Sequence, residues 1–367
     1  MTLTPTDPVA AGPARAAAAR PRAARATTSY AELSRRVQDA GLMRRRQGWY
    51  WRQLLLWGGA FAGVWTAFAL LGDSWWQLAV AAGLAVVTTQ FGFLGHDAAH
   101  RQVFASPAWN DWAARVLAGV FAGLSAGWWG HKHNRHHSGP NQEGRDPDIA
   151  PGVFAFTPAA VAARTGAGAW FAARQGWAFF PLLLLEGLAL HVASLQVLTA
   201  RRDLRHRRVE LALVVGRLAG YVAVLVLVLP PGKAAAFLAV QLGLFGLLLG
   251  GSFAPNHKGM PIVPEGARMD FLRRQVLVSR NIDGGPLTDL AMGGLNYQIE
   301  HHLFPSMPRP NLRRAQPIVR AFCEGNGVAY TQTSLVGSYR IVVRYLNRVG
   351  LRERDPFTCP LVQSARN

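Results

Sequence analysis

The histidines of this chain are concentrated between Trp128 and His137, a stretch that holds four of the eleven. His133, His136 and His137 stand at positions i, i+3 and i+4, so a helix would project all three imidazoles from one face. Histidine is only a middling helix former, and packing gives no reason to cluster it. Neutral imidazole, however, is the side chain that best holds a late first-row metal ion. The stretch therefore predicts a metal site on one face of a helix.

Other histidines of the chain repeat this pattern. One pair is four residues apart, and a later Gln-x-x-His-His segment repeats the i, i+3, i+4 spacing. One more histidine directly follows a long apolar run. Together they are too many ligands for one four-coordinate zinc ion, and they suit two metal ions with about four protein ligands each. The candidate ligands are His96, His100, His133, His136, His137, His257, His301 and His302.

The composition indicates the kind of fold that must position them. Half of the 367 residues are hydrophobic and only 16% are charged, against about 25% in a typical soluble domain. The net charge of +19 invites a nucleic-acid-binding interpretation. The basic residues, however, fall in blocks beside the apolar runs, as the positive-inside rule requires, and no nucleic-acid-binding motif is present. The two cysteines form neither a metal-binding pair nor a disulfide framework. These features predict a polytopic membrane protein that does not bind nucleic acid.

Four apolar runs are each close to the roughly 20 residues that span a bilayer. We therefore predict an all-α integral membrane protein with two helical hairpins, interfacial helices and a cytoplasmic helical cap. The predicted spans are 53–71, 75–95, 210–229 and 234–254. A further apolar run, 179–198, has cytoplasmic flanks on both sides, the second being the basic block 201–208, so we predict a buried or interfacial helix there.

The basic blocks also predict the orientation and the domain limits. Residues 44–46 are all arginine, whereas the turn Gly72-Asp73-Ser74 carries no positive charge. The N-terminus, the C-terminus and every histidine cluster are therefore expected to be cytoplasmic, at a bacterial cell membrane. Residues 1–27 read as a disordered tail, 28–350 as the membrane domain, which begins with an amphipathic surface helix over 28–46, and 351–367 as a C-terminal tail.

The three boxes carry a family resemblance. His-x-x-x-His at 96–100, His-x-x-His-His at 133–137 and Gln-x-x-His-His at 298–302 resemble the integral-membrane fatty acid desaturases and their hydroxylase relatives, from about Tyr30 to Gly350. The resemblance implies a non-haem di-iron centre ligated by the eight histidines, which zinc can occupy instead in some preparations. It also implies O2-dependent insertion of a double bond into a long acyl chain, with no catalytic residue beyond the metal site.

Several other residues are candidates for smaller roles at this centre. Gln298, which similar "front-end" and bacterial acyl desaturases share, could be a weak ligand through its amide oxygen or only a neighbour of the ligands. Asn256 could orient a metal-bound water, and His131 could reach the site. Nearby acids are candidate acceptors for imidazole N–H groups. These acids are Asp97, Asp146, Asp148 and Glu300.

Each of the remaining candidates has an ordinary interpretation. Asp97 could instead pair with Arg101 four residues on. We interpret His191 as a core histidine and His206 as a solvated one. Two tryptophans next to the second box are expected to anchor the chain at the membrane interface. They are Trp128 and Trp129.

On this interpretation, the two electrons that reduce O2 must come from a separate protein. No His-Pro-Gly-Gly motif of a fused cytochrome b5 is present and neither tail is long enough for that domain, so we expect no haem, and no bound nicotinamide or flavin. A separate ferredoxin or a flavin/iron–sulfur reductase would supply them. Basic residues of the cap suit an acidic donor or, equally, lipid headgroups. They are Arg273, Arg274, Arg313 and Arg314.

Two alternatives remain open at this point. A hydroxylase or ketolase of the same superfamily, acting on alkane, carotenoid or acyl chains, would share the metal site; segments 330–334 and 339–350 resemble the desaturase branch. A metal transporter would place its ligands at the bilayer midplane within broken helices. The double-bond position, the chain length and the head group (CoA, carrier protein or lipid) do not follow from the sequence.

Overall fold

The computed structural model describes residues 29–351, so the predicted tails lie outside it, apart from Leu351. Within this range the chain is mostly helical, with almost no sheet. The helices are α1 (Ser29–Asp39), α2 (Gln47–Leu71), α3 (Gln77–Ala99), α4 (Pro107–Val116), α5 (Ala126–Ser138), α6 (Pro158–Ala162), α7 (Gly166–Ala172), α8 (Gln175–Leu183), α9 (Glu186–Ala200), α10 (Arg207–Val228), α11 (Pro231–His257), α12 (Phe271–Leu277), α13 (Pro286–Ala291), α14 (Gln298–Leu303), α15 (Arg309–Gly325) and α16 (Leu335–Gly350).

The other regular elements are short. A π-helical segment, Leu117–Ala122, extends α4, and a 3₁₀ turn covers Pro147–Ile149. The strands β1 (Asn281–Ile282) and β2 (Gln332–Thr333) pair in parallel, with Asn281 opposite Gln332 and Ile282 opposite Thr333. This small sheet joins two parts of the cap that are distant in the sequence.

Four of the described helices, α2, α3, α10 and α11, are long and apolar enough to cross a membrane, which confirms the four predicted apolar runs as candidate spans. The helices extend beyond the predicted apolar runs at the ends that carry polar side chains. Helix α3 continues past residue 95 to include His96, and α11 continues past 254 to end on His257. Hydropathy measures the length of the apolar run, whereas the helix continues for as long as its backbone hydrogen bonds do.

The two hairpins point the same way. Lys233 Nζ lies 2.6 Å from Asp73 Oδ1, so an ion pair joins the two hairpin turns at one end of the bundle. The histidine-bearing ends of α3 and α11 therefore lie together at the other end. Helices α3 and α11 are central, with 67% and 44% of their most apolar windows buried, against 6% in α2 and 17% in α10. The central pair delivers the ligands while α2 and α10 present apolar side chains outward.

The apolar run 179–198 forms two helices rather than the single predicted helix. Helices α8 and α9 meet at an angle of 74°, which makes this pair a broken span or a re-entrant element. Gly187 lies at the bend, directly against α11, where an added Cβ would collide with the carbonyl of Leu242. Small residues of this kind let membrane helices approach closely. The bend thus packs the pair against the helix that carries His257.

The cap has its own hydrophobic core, formed by α1, α12, α14 and α15. Leu33 and Val37 of α1 are fully buried there, together with Leu303 and Val319. Helix α1 was predicted as an amphipathic surface helix over 28–46, and it is shorter, ending at Asp39. Its apolar face covers the cap core, because that core supplies an apolar partner that the sequence alone does not reveal.

Candidate metal centre

Four helices bring the histidines together. His96 lies in the last turn of α3, His100 follows that helix, and His257 is the last residue of α11. Helix α5 supplies the three histidines of the second box and α14 supplies the last two. All eight predicted ligands therefore come to one place, at the ends of the two central spans.

The N-terminus of α5 is fixed by a carboxylate from α10. Ser125 caps this helix by accepting from Trp128 N. Glu210 in turn accepts from Ser125 Oγ at 2.7 Å and from Gly127 N at 3.0 Å, and it pairs with Arg115. A negative charge at a helix N-terminus is favourable. The second hairpin thus sets the position of the helix that carries the central box.

The histidines form two groups. In the first histidine group, which consists of His96, His100, His133 and His301, one ring nitrogen of each residue lies within 4.8 Å of the others. The second histidine group, which consists of His136, His257 and His302, meets the same criterion. His137 lies between them: its Nε2 is 2.9 Å from His133 Nε2 and its ring stacks on that of His302. Two groups match the two metal ions that the count of histidines predicted.

The nitrogen atoms themselves fit metal ions. His100 Nε2 and His133 Nε2 are 2.9 Å apart, and two neutral nitrogen lone pairs that close repel unless a cation or a proton lies between them. Both ring nitrogens of His301 and the Nε2 of His302 are buried without a hydrogen-bond partner among the described residues. Burial lowers the pKa of His301 and of His302 well below 6.5. The rings are therefore neutral, as metal ligation requires.

Hydrogen bonds from Nδ1 orient the second histidine group. His136 Nδ1 donates to Asp146 at 3.0 Å, and His302 Nδ1 donates to Gln275 Oε1 at 3.0 Å. His257 Nδ1 donates to the carbonyl of Val278 at 3.1 Å. Acceptors on Nδ1 fix the tautomer, so each Nε2 carries a lone pair that faces the centre of the group. This is the usual outer-shell arrangement of a metal site.

The acids near His136 belong to a charged network. Asp148 Oδ2 lies 3.4 Å from His136 Nδ1, and Asp148 Oδ1 lies 2.9 Å from Lys132 Nζ. Burial raises the pKa of Asp148, but neighbouring positive charge, led by Lys132, lowers it below its usual value. Asp146 and Asp148 therefore stand next to an imidazole as the sequence suggested.

The other two acids have different partners from those proposed. Asp97 Oδ2 lies 2.6 Å from Arg309 Nη2. Asp97 therefore pairs with Arg309 and not with Arg101, which follows the end of α3 with a positive φ of 59°. Asp97 Oδ1 stays 3.6 Å from His96 Nδ1. Glu300 accepts from Asn281 Nδ2 and from Tyr330 Oη, both at 2.7 Å, rather than from an imidazole. It turns away because successive helical residues point about 100° apart. Burial raises the pKa of Glu300 to about 7.

The same helical geometry explains two residues of α5. His131 is exposed and away from both groups, because it stands two residues before His133 on the opposite face. Trp129 stands four residues before His133 and stacks on its ring, with centroids 4.1 Å apart and planes at 22°. Trp129 also lies 5.2 Å from the ring of His96. Trp129, which was predicted to anchor the membrane interface, therefore also packs against the histidines.

Two more histidines lie outside the site. Both ring nitrogens of His191 face carbonyl oxygens, those of Gly187 and Ala122, as expected of a core histidine. His206 is half-buried, with its ring 5.1 Å from that of Trp112.

The amides of Gln298 and Asn256 form a buried pair. Asn256 Nδ2 donates to the carbonyls of Ser252 and Leu295, which fixes the orientation of its amide. The same nitrogen donates to Gln298 Oε1 at 3.1 Å, so Gln298 Nε2 is the atom that lies 2.9 Å from His257 Nε2. In this arrangement the oxygen of Gln298 faces Asn256, and the amide nitrogen faces the second histidine group.

Gln275 is a part of the site that was not predicted from the sequence. It is fully buried; its Oε1 accepts from His302, and its Nε2 donates to the carbonyl of His137 at 3.0 Å. Gln275 thereby links the second box to the third. The sequence signal for Gln275 was a polar residue on the apolar face of α12, because a polar residue at a buried position indicates a specific hydrogen-bond partner.

The fold and the site together define a class: a helical membrane protein whose central spans end in a histidine-rich centre able to hold two metal ions. The sequence profile of the fatty acid desaturase family matches residues 73–334, and the chain belongs to this family. The resemblance seen in the three boxes is thereby confirmed.

Similar proteins carry desaturase names. An acyl-lipid (9-3)-desaturase of Physcomitrium patens is 32% identical over 74% of this chain and 53% of its own length. The Delta(6)-fatty-acid desaturase fat-3 of Caenorhabditis elegans is 30% identical over 88% of this chain and 74% of its own length. The Delta(5) fatty acid desaturase fat-4 of the same organism is 29% identical over 84% and 71%. The chain thus spans about half the length of the first relative and about three quarters of the others.

Proposed function

We propose that this chain is an O2-dependent desaturase of long acyl chains, with two iron ions held by the two histidine groups. The observation that carries the proposal is the convergence of eight histidines, several with buried unpartnered nitrogens, at the ends of the central spans. Family membership supports the acyl substrate. The reaction would take two hydrogens from adjacent methylenes and, with two electrons and two protons from outside, convert O2 to two molecules of water.

When bound, the iron pair would supply O2 activation and hydrogen abstraction; the protein supplies geometry. Asp146, Gln275 and the Val278 carbonyl hold the second group with each Nε2 facing inward. Trp129 stacks on the first group and Phe253 lies 6.2 Å from the ring of His96. These apolar rings would limit the access of water on the side of the histidines where an acyl chain would approach.

The cap provides a surface that suits a separate acidic electron donor, such as a ferredoxin or a flavin/iron–sulfur reductase. Arg273, Arg313 and Arg314 are exposed. Arg273 and Arg274 directly precede Gln275, whose amide accepts from His302, so this surface is one side chain away from the second histidine group. A donor bound here would have a short route to the metal centre.

The basic residues also support the orientation. The histidine-bearing end of the bundle is the end with the basic blocks 44–46 and 201–208, which by the positive-inside rule is cytoplasmic. We place the protein in a bacterial cell membrane with the metal centre on the cytoplasmic side.

Two other functions fit the chain less well. A hydroxylase or ketolase would use the same histidines, but the similar proteins named above are all called desaturases. A metal transporter would hold its ligands within the bilayer. Here the ligands lie at helix ends and in the cap.

The deciding experiment is a fatty-acid profile of a host that expresses the chain with a competent electron donor, using derivatives that locate double bonds. A new unsaturated species that disappears with His136→Ala supports the proposal and gives the regiochemistry. A hydroxylated product instead indicates the hydroxylase alternative. No acyl product from protein that holds iron would contradict the acyl substrate.

A further inference from the structure

The last turn of α11 contains a proline, and the break it makes is repaired by another helix. Pro255 has no N–H, so the carbonyl of Gly251, four residues earlier, lacks its usual helical donor. Tyr339 Oη donates to this carbonyl at 2.9 Å. Tyr339 lies near the start of α16, far along the chain. A hydroxyl of α16 therefore replaces the missing backbone N–H.

The remaining carbonyls at this helix end are also satisfied from outside. Pro255 O accepts from Ser338 Oγ at 2.7 Å and from Arg280 Nε at 3.0 Å. Arg280 Nη2 donates to the carbonyl of Lys258 at 2.9 Å, and the backbone N–H of Arg280 donates to the carbonyl of Asn256 at 2.8 Å. The last carbonyls of a helix require such partners when they are buried.

Arg280 is suited to this position. It is 1% exposed, and its side-chain hydrogen bonds within residues 29–351 go to backbone carbonyls, to Ser338 and to the sulfur of Met260. A buried guanidinium without a carboxylate is costly unless carbonyls compensate it. The C-terminal end of a helix carries partial negative charge, so α11 provides that compensation.

This helix end is also the one that carries a metal-ligand candidate. His257 is the final residue of α11, and its Nδ1 donates to the carbonyl of Val278, two residues before Arg280. One segment, 278–280, therefore orients the ring of His257 and caps its helix. Ser338 and Tyr339, near the start of α16, donate to carbonyls of the same helix end.

We propose that Arg280, Ser338 and Tyr339 are positioning residues of the metal centre: they hold the Pro255-interrupted end of α11 so that His257 Nε2 faces His136 and His302. The inference rests on the proposed metal centre and extends it. It makes α16, which contributes none of the eight histidines, necessary for holding the metal ion of the second histidine group.

The chain offers a matched control. Tyr339→Phe removes one hydroxyl and leaves the ring. Tyr345→Phe removes a hydroxyl from the same helix, but this one donates to the carbonyl of Phe156, outside α11. Both variants lose one hydroxyl-to-carbonyl bond, so a general loss of stability would affect them alike. Pro255→Ala adds a further test, because it restores the N–H that the Gly251 carbonyl lacks.

The test is metal retention by the full-length protein, purified in lipid nanodiscs, loaded with iron and challenged with a graded chelator. We expect Tyr339→Phe to weaken retention of one of the two ions roughly ten-fold and to leave the other unchanged. Tyr345→Phe should behave like the wild type. Arg280→Lys, which keeps the charge, should lose less metal than Arg280→Gln. The double variant Pro255→Ala/Tyr339→Phe should recover most of the loss, because the new backbone N–H can donate to the carbonyl of Gly251.

Three results would overturn the inference. Tyr339→Phe could retain metal as well as Tyr345→Phe, it could lose both ions equally, or the double variant Pro255→Ala/Tyr339→Phe could show no recovery of metal retention. If the wild type itself retains no ion, the metal centre of the proposed function fails, and the inference with it. These outcomes are distinguishable because the wild type is measured in the same titration.

Discussion

The two histidine groups differ in what holds their rings. In the second group every ring has an acceptor on Nδ1: a carboxylate, an amide oxygen or a backbone carbonyl. In the first group, His301 has no partner on either nitrogen among the described residues, and His96 Nδ1 is 3.6 Å from the nearest carboxylate oxygen of Asp97. The first group is held mainly by rings packed on rings, with Trp129 stacked on His133.

This difference has a chemical consequence. A hydrogen bond to Nδ1 decides which nitrogen carries the lone pair, whereas stacking fixes only the plane of the ring. The second group is therefore ready to bind before a metal arrives, while the first acquires its final tautomers on binding. We expect the second group to hold its ion more tightly, and the predictions below test this asymmetry.

The largest effect is expected from removing a ligand. His136→Ala and His301→Ala should each reduce product formation to background, because both ions are needed. Metal analysis should show one ion retained in each variant: that of the first group in His136→Ala and that of the second in His301→Ala. Retention should be firmer in His301→Ala, which keeps the better-oriented group.

The control is His131→Ala, which removes an exposed imidazole from the same helix as His136. Its activity and metal content should equal those of the wild type. Full activity in His136→Ala or His301→Ala would contradict the assignment of two metal ions to these groups.

The next effect concerns the acceptor on His136. Asp146→Asn keeps an oxygen but loses the charge and one of the two acceptors, so the imidazole becomes a poorer ligand. We expect roughly 10- to 100-fold weaker retention of the second group's ion in a chelator titration. Asp203→Asn, at an exposed ion pair with Arg201, serves as the charge-matched control. An unchanged titration would mean that Asp146 does not set the basicity of His136.

A smaller effect on metal binding is expected at the first group. Asp97→Asn should weaken metal retention only a few-fold, because Asp97 is bonded chiefly to Arg309. Its main effect should be on stability, since the variant leaves a buried guanidinium unpaired, at a cost of about 3 kcal/mol. Thermal unfolding should show this loss, and the double variant Asp97→Asn/Arg309→Gln should recover part of it. If Asp97→Asn lost as much metal as Asp146→Asn, the expected difference between the two histidine groups would be contradicted.

The sequence predicted the fold well because a bilayer imposes strong constraints. A span needs about 20 apolar residues with internally satisfied backbone groups, and basic blocks mark its ends. Helix ends were less predictable, because the polar residues His96 and His257 continue the spans. The bend between α8 and α9 depends on Gly187 meeting α11, a contact between segments distant in sequence.

The site was predictable where helical spacing decides it. The i, i+3, i+4 spacing predicted that the histidines of a box share one helix face. The same rule places Trp129 on the face of His133 and His131 on the opposite face. The partners of the rings were not predictable in this way. Val278 acts through its carbonyl, which every residue has, and Gln275 reaches His302 only through the packing of α12 against α14.

The smallest effect is expected at Gln298, and it sharpens the comparison because this side chain adjoins the second group. Gln298 Nε2 lies 2.9 Å from His257 Nε2, the nitrogen that a metal ion would take, so Gln298→Leu removes a competing donor and metal retention should be unchanged or slightly firmer. Asn256 keeps its bonds to Ser252 and Leu295, so the helix end should stay intact. His257→Ala is the reference for a lost ligand. If Gln298→Leu loses as much metal as His257→Ala, the amide turns its oxygen inward when metal binds, and Gln298 is a fourth ligand of the second group.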